Sequence, residues 1–316
     1  MYKFDLSNSL IYLCTKISTK LIMSQLYIGT SGWSYKDWVG SFYPPSHPAA
    51  FDMLEYYSDY FNAVEANSTY YSYLSPKIAE GWVKKIEHKE DFLFTIKLHN
   101  DFTHVRKYSK NNIKSVKALL DVLNNAGRLG GLLVQFPYSF IMNKENAYHL
   151  KYIIDDFSEY HKFIEVRHKS WLLDRFFNFV RENNSSLCTI DQPILGEAID
   201  FKMINAGENS YIRLHGRNEN AWIHSLSNFG KDQTEEQKSA RYDYLYSPAE
   251  LAQIGLRIRP IMENIKRIFI FFNNHPKGNA VANAFEMLHF LKNNIGLELP
   301  ETTLKAYPRL SRISAK

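Results

Sequence analysis

Lys162 to Trp171 reads KFIEVRHKSW, an apolar strand that ends in Glu165, Arg167 and His168 and then stops at a helix start. Alternate strand residues share a face, so Glu165 and Arg167 lie on one side and Ile164 and Val166 on the other. A carboxylate and a guanidinium are held together while the apolar pair packs away from them. The same division recurs outward from this stretch. Short apolar runs of strand length stand at LYIGTS (26–31), NAVEANS (62–68), FLFTIKLH (92–99), GLLVQFP (131–137), SLCTID (186–191), SYIRLHG (210–216) and RIFIFFNN (267–274). Each is rich in aromatic or branched residues and too short for a helix.

Between them lie segments of helical period at 49–60, 76–88, 109–126, 144–159, 170–183, 248–265 and 278–294. Ser75-Pro76 and Ser247-Pro248 put serine at an N-cap and proline at the first helical position. The connection 192–209 is the least regular. Strand after helix after strand implies a parallel sheet covered by helices. Eight units within about 270 residues predict an α/β protein, a single closed (β/α)8 TIM-type barrel, with an open doubly wound sheet as the competing arrangement. The barrel is expected over 25–296, with residues 297–316 as a C-terminal tail.

Applied to every strand, the two-residue period gives one polar face: Gly29 and Ser31, Glu65 and Asn67, Lys97 and His99, Gln135, Glu165 and Arg167, Asp191, Arg213 and His215, and Asn273. The other face carries Ile28, Val64, Ile96, Val134, Ile164, Ile190, Ile212 and Ile270. In a barrel the apolar set packs on the helices. The polar set then meets inside, near the C-terminal strand ends, where barrel enzymes place their chemistry.

The composition, 45% hydrophobic and 22% charged, is that of a globular chain with ample core. A net charge of +5 is scattered without a long basic run, which argues against nucleic acid and membrane as partners. Cys14 and Cys188 are too few for a disulfide framework or a thiolate metal site. No apolar run reaches the roughly 18 residues of a membrane span. A cytoplasmic protein is expected. Residues 1–24 make a poor signal peptide, and Met23 is the expected start, just ahead of the first strand.

With these residues in hand, the chain resembles the YecE-like family, domain of unknown function 72. The matching blocks are Tyr27 to Pro44, Phe61 to Tyr71, Leu129 to Pro137, Glu165 to Trp171, Tyr211 to Arg217 and Ile270 to Ala284, with Lys97, Thr103-His104 and Tyr244 to Leu251 besides. The resemblance implies a TIM barrel and brings no reaction with it.

Three cations, Lys97, Arg167 and Arg213, face three carboxylates, Glu65, Glu165 and Asp191. One reading is a self-neutralising ion-pair layer that plugs the barrel. The favoured one is an anion-binding mouth, since such costly groups gathered at one end mark a site. Glu165 and His215 would move protons, with Asp191 and Glu65 orienting them. Lys97, Arg167 and Arg213 would hold the anion, helped by Gln135, Asn67, Asn273, Asn274, His168 and Trp33. A divalent metal on Glu65, Glu165, Asp191 and His215 is the weaker alternative, because three cations crowd that space. No cofactor is expected.

Asn273 to Ala280 opens a helix beside Lys277 and Gly278, a second place for an anion or else an ordinary capped turn. Aromatics on the first two loops are read mainly as packing. The connection 217–247 is long enough for a lid, with Trp222, Tyr242, Tyr244 and Tyr246 to close over a ligand. The expectation is an enzyme, a hydrolase or isomerase of a small anionic metabolite. A non-catalytic ligand-binding or adaptor protein and a metal-dependent phosphodiesterase are the alternatives.

Overall fold

A computed structural model describes residues 24–204, 206–227, 234, 237 and 239–315. The leader, with Met23 and Cys14, lies outside them. The eight apolar runs form β1 (Gln25–Ser31), β2 (Ala63–Ala66), β3 (Leu93–Lys97), β4 (Leu129–Gln135), β5 (Lys162–Glu165), β6 (Ser185–Asp191), β7 (Asn209–Leu214) and β8 (Arg267–Phe272). All neighbours are parallel, and β8 pairs back onto β1 to close the barrel. The register aligns Ser31 with Glu65, Glu65 with Thr95 and Gln135 with Glu165, which stacks the inward residues in layers.

The covering helices are α1 (Met53–Ser58), α2 (Pro76–Lys85), α3 (Asn100–Thr103), α4 (Lys110–Asn125), α5 (Lys144–Asp156), α6 (Asp174–Glu182), α7 (Glu219–Ser227), α8 (Pro248–Ile258), α9 (Asn279–Leu291) and α10 (Glu301–Ala306). Their starts follow local chemistry. Asp52 accepts from the Leu54 and Glu55 amides, and Ser109 with Asn112 and Ser247 with Glu250 form reciprocal capping boxes. The helix expected from residue 170 begins at Asp174 instead. His168 and Ser170 cap a 3-10 turn first, and the Trp171 indole anchors it by donating to the Phe140 carbonyl at 2.6 Å.

Two buried layers result. The larger lies between barrel and helices, where Ile28, Val64, Ile164, Ile212 and Ile270 face outward as expected. The smaller fills the barrel floor with Tyr27, Leu133, Phe163, Cys188, Ile190, Tyr211, Phe269 and Phe271, whose rings pack at centroid distances of 4.4–5.4 Å across Tyr211–Phe163, Tyr27–Phe269 and Phe163–Phe269. The floor is therefore closed, and any site must lie above it.

Residues 297–316, expected only as a tail, carry α10 and a further 3-10 turn, Pro308–Arg312, with Leu310 and Ile313 buried against the barrel layer. No described helix is long and apolar enough to cross a membrane.

Candidate functional site

Above the aromatic floor the strand ends become polar, and the first layer is a closed ion-pair network. Arg213 donates from Nε and Nη2 to both oxygens of Glu65, at 2.8 and 2.7 Å, and from Nη1 to Glu165 Oε2 at 2.6 Å. The Tyr211 hydroxyl donates to Glu65 Oε2 at 2.8 Å, and Arg167 reaches Glu165 Oε1 through Nε at 2.9 Å. All three of Glu65, Glu165 and Arg213 are buried. Burial by itself would raise the Glu165 pKa, but Arg213 and Arg167 outweigh it and hold the group well below the usual carboxylate range.

The next layer up faces the opening. His215 lies with Nε2 at 3.5 Å from both arginines, and the Asn273 amide nitrogen fixes the ring from 2.9 Å at Nδ1. Burial first, then Arg213 and Arg167, push its pKa well below 6.5, so the ring is neutral. Lys97 is the last residue of β3, and its Nζ sits 4.2 Å from the centroid of the Tyr70 ring. No carboxylate lies within ion-pair distance of it among the described residues. Burial, then Arg213 and Arg167, lower the amine to about 7 against the pull of Glu65 and Glu165. His104, on the rim, is held down to about 4 by burial first and then by Lys97 and Arg167.

One wall is aromatic and comes from the long connection after β7. Trp222 on α7 approaches His215 at 6.3 Å, and Arg167 lies 5.9 Å from its ring. Arg241 stacks on Trp222 and Tyr242 at 5.5 and 4.8 Å, again with no carboxylate within ion-pair distance among the described residues. Tyr242 continues to His275 at 5.7 Å, and His275 stacks on Tyr35 at 4.5 Å. Tyr35 is one of the first-loop aromatics read from the sequence mainly as packing, and Arg241 was not singled out. Arg241 lay inside a long polar connection with no period to place it.

Four expected site residues lie elsewhere. Asp191 is one residue out of phase: Cys188 and Ile190 face the barrel interior, and Asp191 faces the helices, where Arg217 grips both its oxygens and Tyr246 donates to it at 2.6 Å. Trp33 packs edge-on against Trp82 and Phe94 in the barrel–helix layer. His168 spends Nδ1 on capping Ser170. Asn274 is turned outward to the Tyr244 carbonyl and the Asn283 side chain.

Asn67 and Gln135 remain on the inward phase. Gln135 donates to the Phe136 carbonyl, while Asn67 Oδ1 is buried without a partner. His99 passes the end of β3 and caps the Asp101 amide. The helix start after β8 is already taken by carboxylates. Asp37 accepts from the Lys277 backbone amide, and Asp243 accepts from Lys277 Nζ and Asn279. An added anion there would meet both. Of the expected lid residues, Trp222 and Tyr242 overlook the mouth, whereas Tyr246 is buried beneath on Asp191 and Tyr244 donates to Glu250. Among the described residues no three His, Cys, Asp or Glu side chains converge as a metal site.

A closed parallel barrel with a charged layer under a polar C-terminal mouth defines the class, a (β/α)8 barrel protein. The chain belongs to the family described as protein of unknown function DUF72, which it matches over residues 27–305. It is similar to the UPF0759 protein YunF of Bacillus subtilis, with 28% identity over 278 residues that span 84% of this chain and 94% of that protein. The UPF0759 protein YecE of Escherichia coli is 27% identical over 144 residues, 45% of this chain and 48% of that protein.

Among solved structures, a DUF72 family protein of Thermotoga maritima is 30% identical with a TM-score of 0.72, covering 85% of this chain and 99% of that one. Another from Enterococcus faecalis is 25% identical with a TM-score of 0.70, covering 87% and 97%. Family and fold thus agree with the sequence blocks. The chemistry has to be read from the mouth.

Proposed function

We propose that the chain is an enzyme that binds a small phosphate- or carboxylate-bearing molecule in the barrel mouth and moves a proton on it with the Lys97 amine. The observation that carries this is the Lys97 Nζ at a strand end, which meets the Tyr70 ring and no carboxylate among the described residues, while Glu65 and Glu165 are both engaged by arginines. An ionised carboxylate gripped by two guanidiniums is a weak base and has no proton to give, so the role expected of Glu165 passes to Lys97. Glu165 instead positions Arg167 and Arg213. Arg213 has committed all three donor nitrogens below, which leaves Arg167, Arg241 and Lys97 to meet the anion. A group near neutrality serves as both acceptor and donor of a proton, which suits isomerisation or hydrolysis.

Calorimetry with inorganic phosphate and pyrophosphate on the full chain tests the binding. Arg167→Met and Lys97→Met should each weaken it at least about tenfold, the roughly 1.4 kcal/mol of one charge-assisted contact. Unchanged affinity in both variants would refute the mouth as the binding site. Turnover is then read from a metabolite extract. Consumption by the native protein and none by Lys97→Met is expected, and equal consumption or none by either would remove the catalytic part.

A further inference from the structure

Lys97 is placed as few lysines are. Its backbone carbonyl is pinned by the Thr69 hydroxyl at 2.7 Å, so the side chain rises from a fixed point on the barrel wall. The amine meets the face of Tyr70 instead of a carboxylate. The charged and titratable groups around it are Glu65 from β2, Glu165 and Arg167 from β5 and its loop, Arg213 from β7 and His215 just past it, Tyr70 from the loop after β2, and His104 from the loop after α3. The acids among them are already committed.

The C-terminal side of the barrel also holds buried polar atoms without a hydrogen-bond partner among the described residues. Ser31 Oγ and Asn67 Oδ1, on the inward phase of β1 and just past β2, are buried and without a hydrogen-bond partner. So are Trp222 Nε1 and Arg241 Nε, on the wall that faces Arg167. Buried polar groups are paired as a rule, and these four lie on strand ends and connections at the C-terminal side of the barrel. They describe a guest that supplies acceptor oxygens toward Trp222 and Arg241 and a polar group toward Ser31 and Asn67.

Resting on the anion-binding reading, we propose that Lys97 is a nucleophile that forms an imine with an aldehyde or ketone whose own carboxylate or phosphate is held by Arg167 and Arg241. The Nζ lone pair attacks the carbonyl carbon, the new C–N bond forms, and the π pair moves to oxygen, which takes a proton. The carbinolamine hydroxyl then takes a proton from solvent and leaves as water while the Nζ lone pair closes the C=N bond, so that nitrogen keeps its last proton in the protonated imine; no oxidant or reductant enters. The protonated imine draws electrons from the neighbouring bond, the step that isomerisation or carbon–carbon cleavage next to a carbonyl requires.

The setting favours this over simple ion pairing. Two arginines, a ring face and burial disfavour the ammonium, and the amine stands at about 7. A far larger share of it is uncharged at neutral pH than of an ordinary lysine, for which the share is on the order of one in 2,000. Surface lysines are therefore poor competitors for the same carbonyl.

The test is borohydride trapping on the full chain with pyruvate and with glyoxylate at neutral pH, read by peptide mass mapping. A reduced adduct on Lys97 at least about tenfold above any other lysine is expected. It should vanish in K97R, whose fold is checked by its thermal transition, and fall when inorganic phosphate competes. No adduct with either probe, or one spread evenly over the lysines, overturns the proposal. If phosphate still binds in an Arg167-dependent way while no adduct forms, the imine fails and the anion-binding reading stands; loss of both removes both.

Discussion

Arg213 Nη1 lies 2.6 Å from Glu165 Oε2, and the rest of that guanidinium grips Glu65 on the opposite side of the barrel. One cation therefore holds two buried anions from strands that are not neighbours. Arg213→Met would leave two buried carboxylates short of a partner. The expected cost is roughly 3–5 kcal/mol, read as a fall in the urea midpoint. A loss under about 1 kcal/mol would mean that the network contributes little.

The same pairing has a pH signature. The folded pKa of Glu165 lies below its unfolded value, so the unfolded chain binds more protons in the acid range. Its contribution is fully present above the unfolded value of about 4.3 and is lost as pH falls toward the folded one. The stability difference between the native protein and Glu165→Gln should therefore be constant from pH 6 to about 5 and shrink below about 4. A difference that stays flat to pH 3 would contradict the pairing.

Lys97 has the same slope, stability rising with pH, but its shift is a cost that fades and not a contribution that is gained. Its folded pKa of about 7 lies below the unfolded value, so burial costs stability at low pH and the cost fades as pH rises from 7 toward the unfolded value. Lys97→Met should raise the melting temperature at pH 6 more than at pH 10. Function should report the same group twice: phosphate affinity falls through about pH 7 as the cation is lost, while adduct formation rises. Two trends that move together would refute a single titrating amine.

The barrel was legible because eight segments share one rule, apolar strand then amphipathic helix, and errors in one segment do not propagate. Phase was harder. In β5 only one alternation separates polar from apolar residues, so Glu165 and Arg167 fell on the correct face. In β6 both phases are mixed, Ser186, Cys188 and Ile190 against Leu187, Thr189 and Asp191, because a parallel strand is buried on both sides. A terminal aspartate pulled the reading inward, when Tyr246 and Arg217, more than 20 residues away in sequence, hold it outward. The Lys97 amine's isolation was not legible either. It follows from where Arg213 spends its donors.

Asp191 and Tyr246 are accordingly structural. The Tyr246 hydroxyl donates to Asp191 at 2.6 Å and accepts from the Gly216 amide at 2.9 Å, tying β6, β7 and the start of α8 together. Tyr246→Phe keeps the packing and removes both bonds. It should cost about 1–3 kcal/mol and leave phosphate affinity unchanged. A tenfold loss of affinity with intact stability would return Asp191 to the site.

The C-terminal segment yields the last prediction. Arg309 and Arg312 converge on the buried Glu286 of α9 at 2.7 and 2.8 Å, and Arg309 also donates to the Tyr246 carbonyl. Thr302 donates to the Phe42 carbonyl and Tyr307 to that of Lys277, so the segment clasps the first loop and the start of α9 together. Deleting 297–316 would strip both cations from a buried carboxylate, leaving it the Asn283 amide at 3.2 Å, and would expose the apolar surface under Leu310 and Ile313. Unfolding should become easier by at least about 3 kcal/mol. Leu310→Ala alone should cost about 2–5 kcal/mol, because the side chain is fully buried and its loss leaves a cavity. Because Tyr246 also braces Asp191, the deletion should soften the β6–β7 edge, seen as faster amide exchange at Ile190 and Leu214. Unaltered melting and exchange would show that the segment only rests on the barrel.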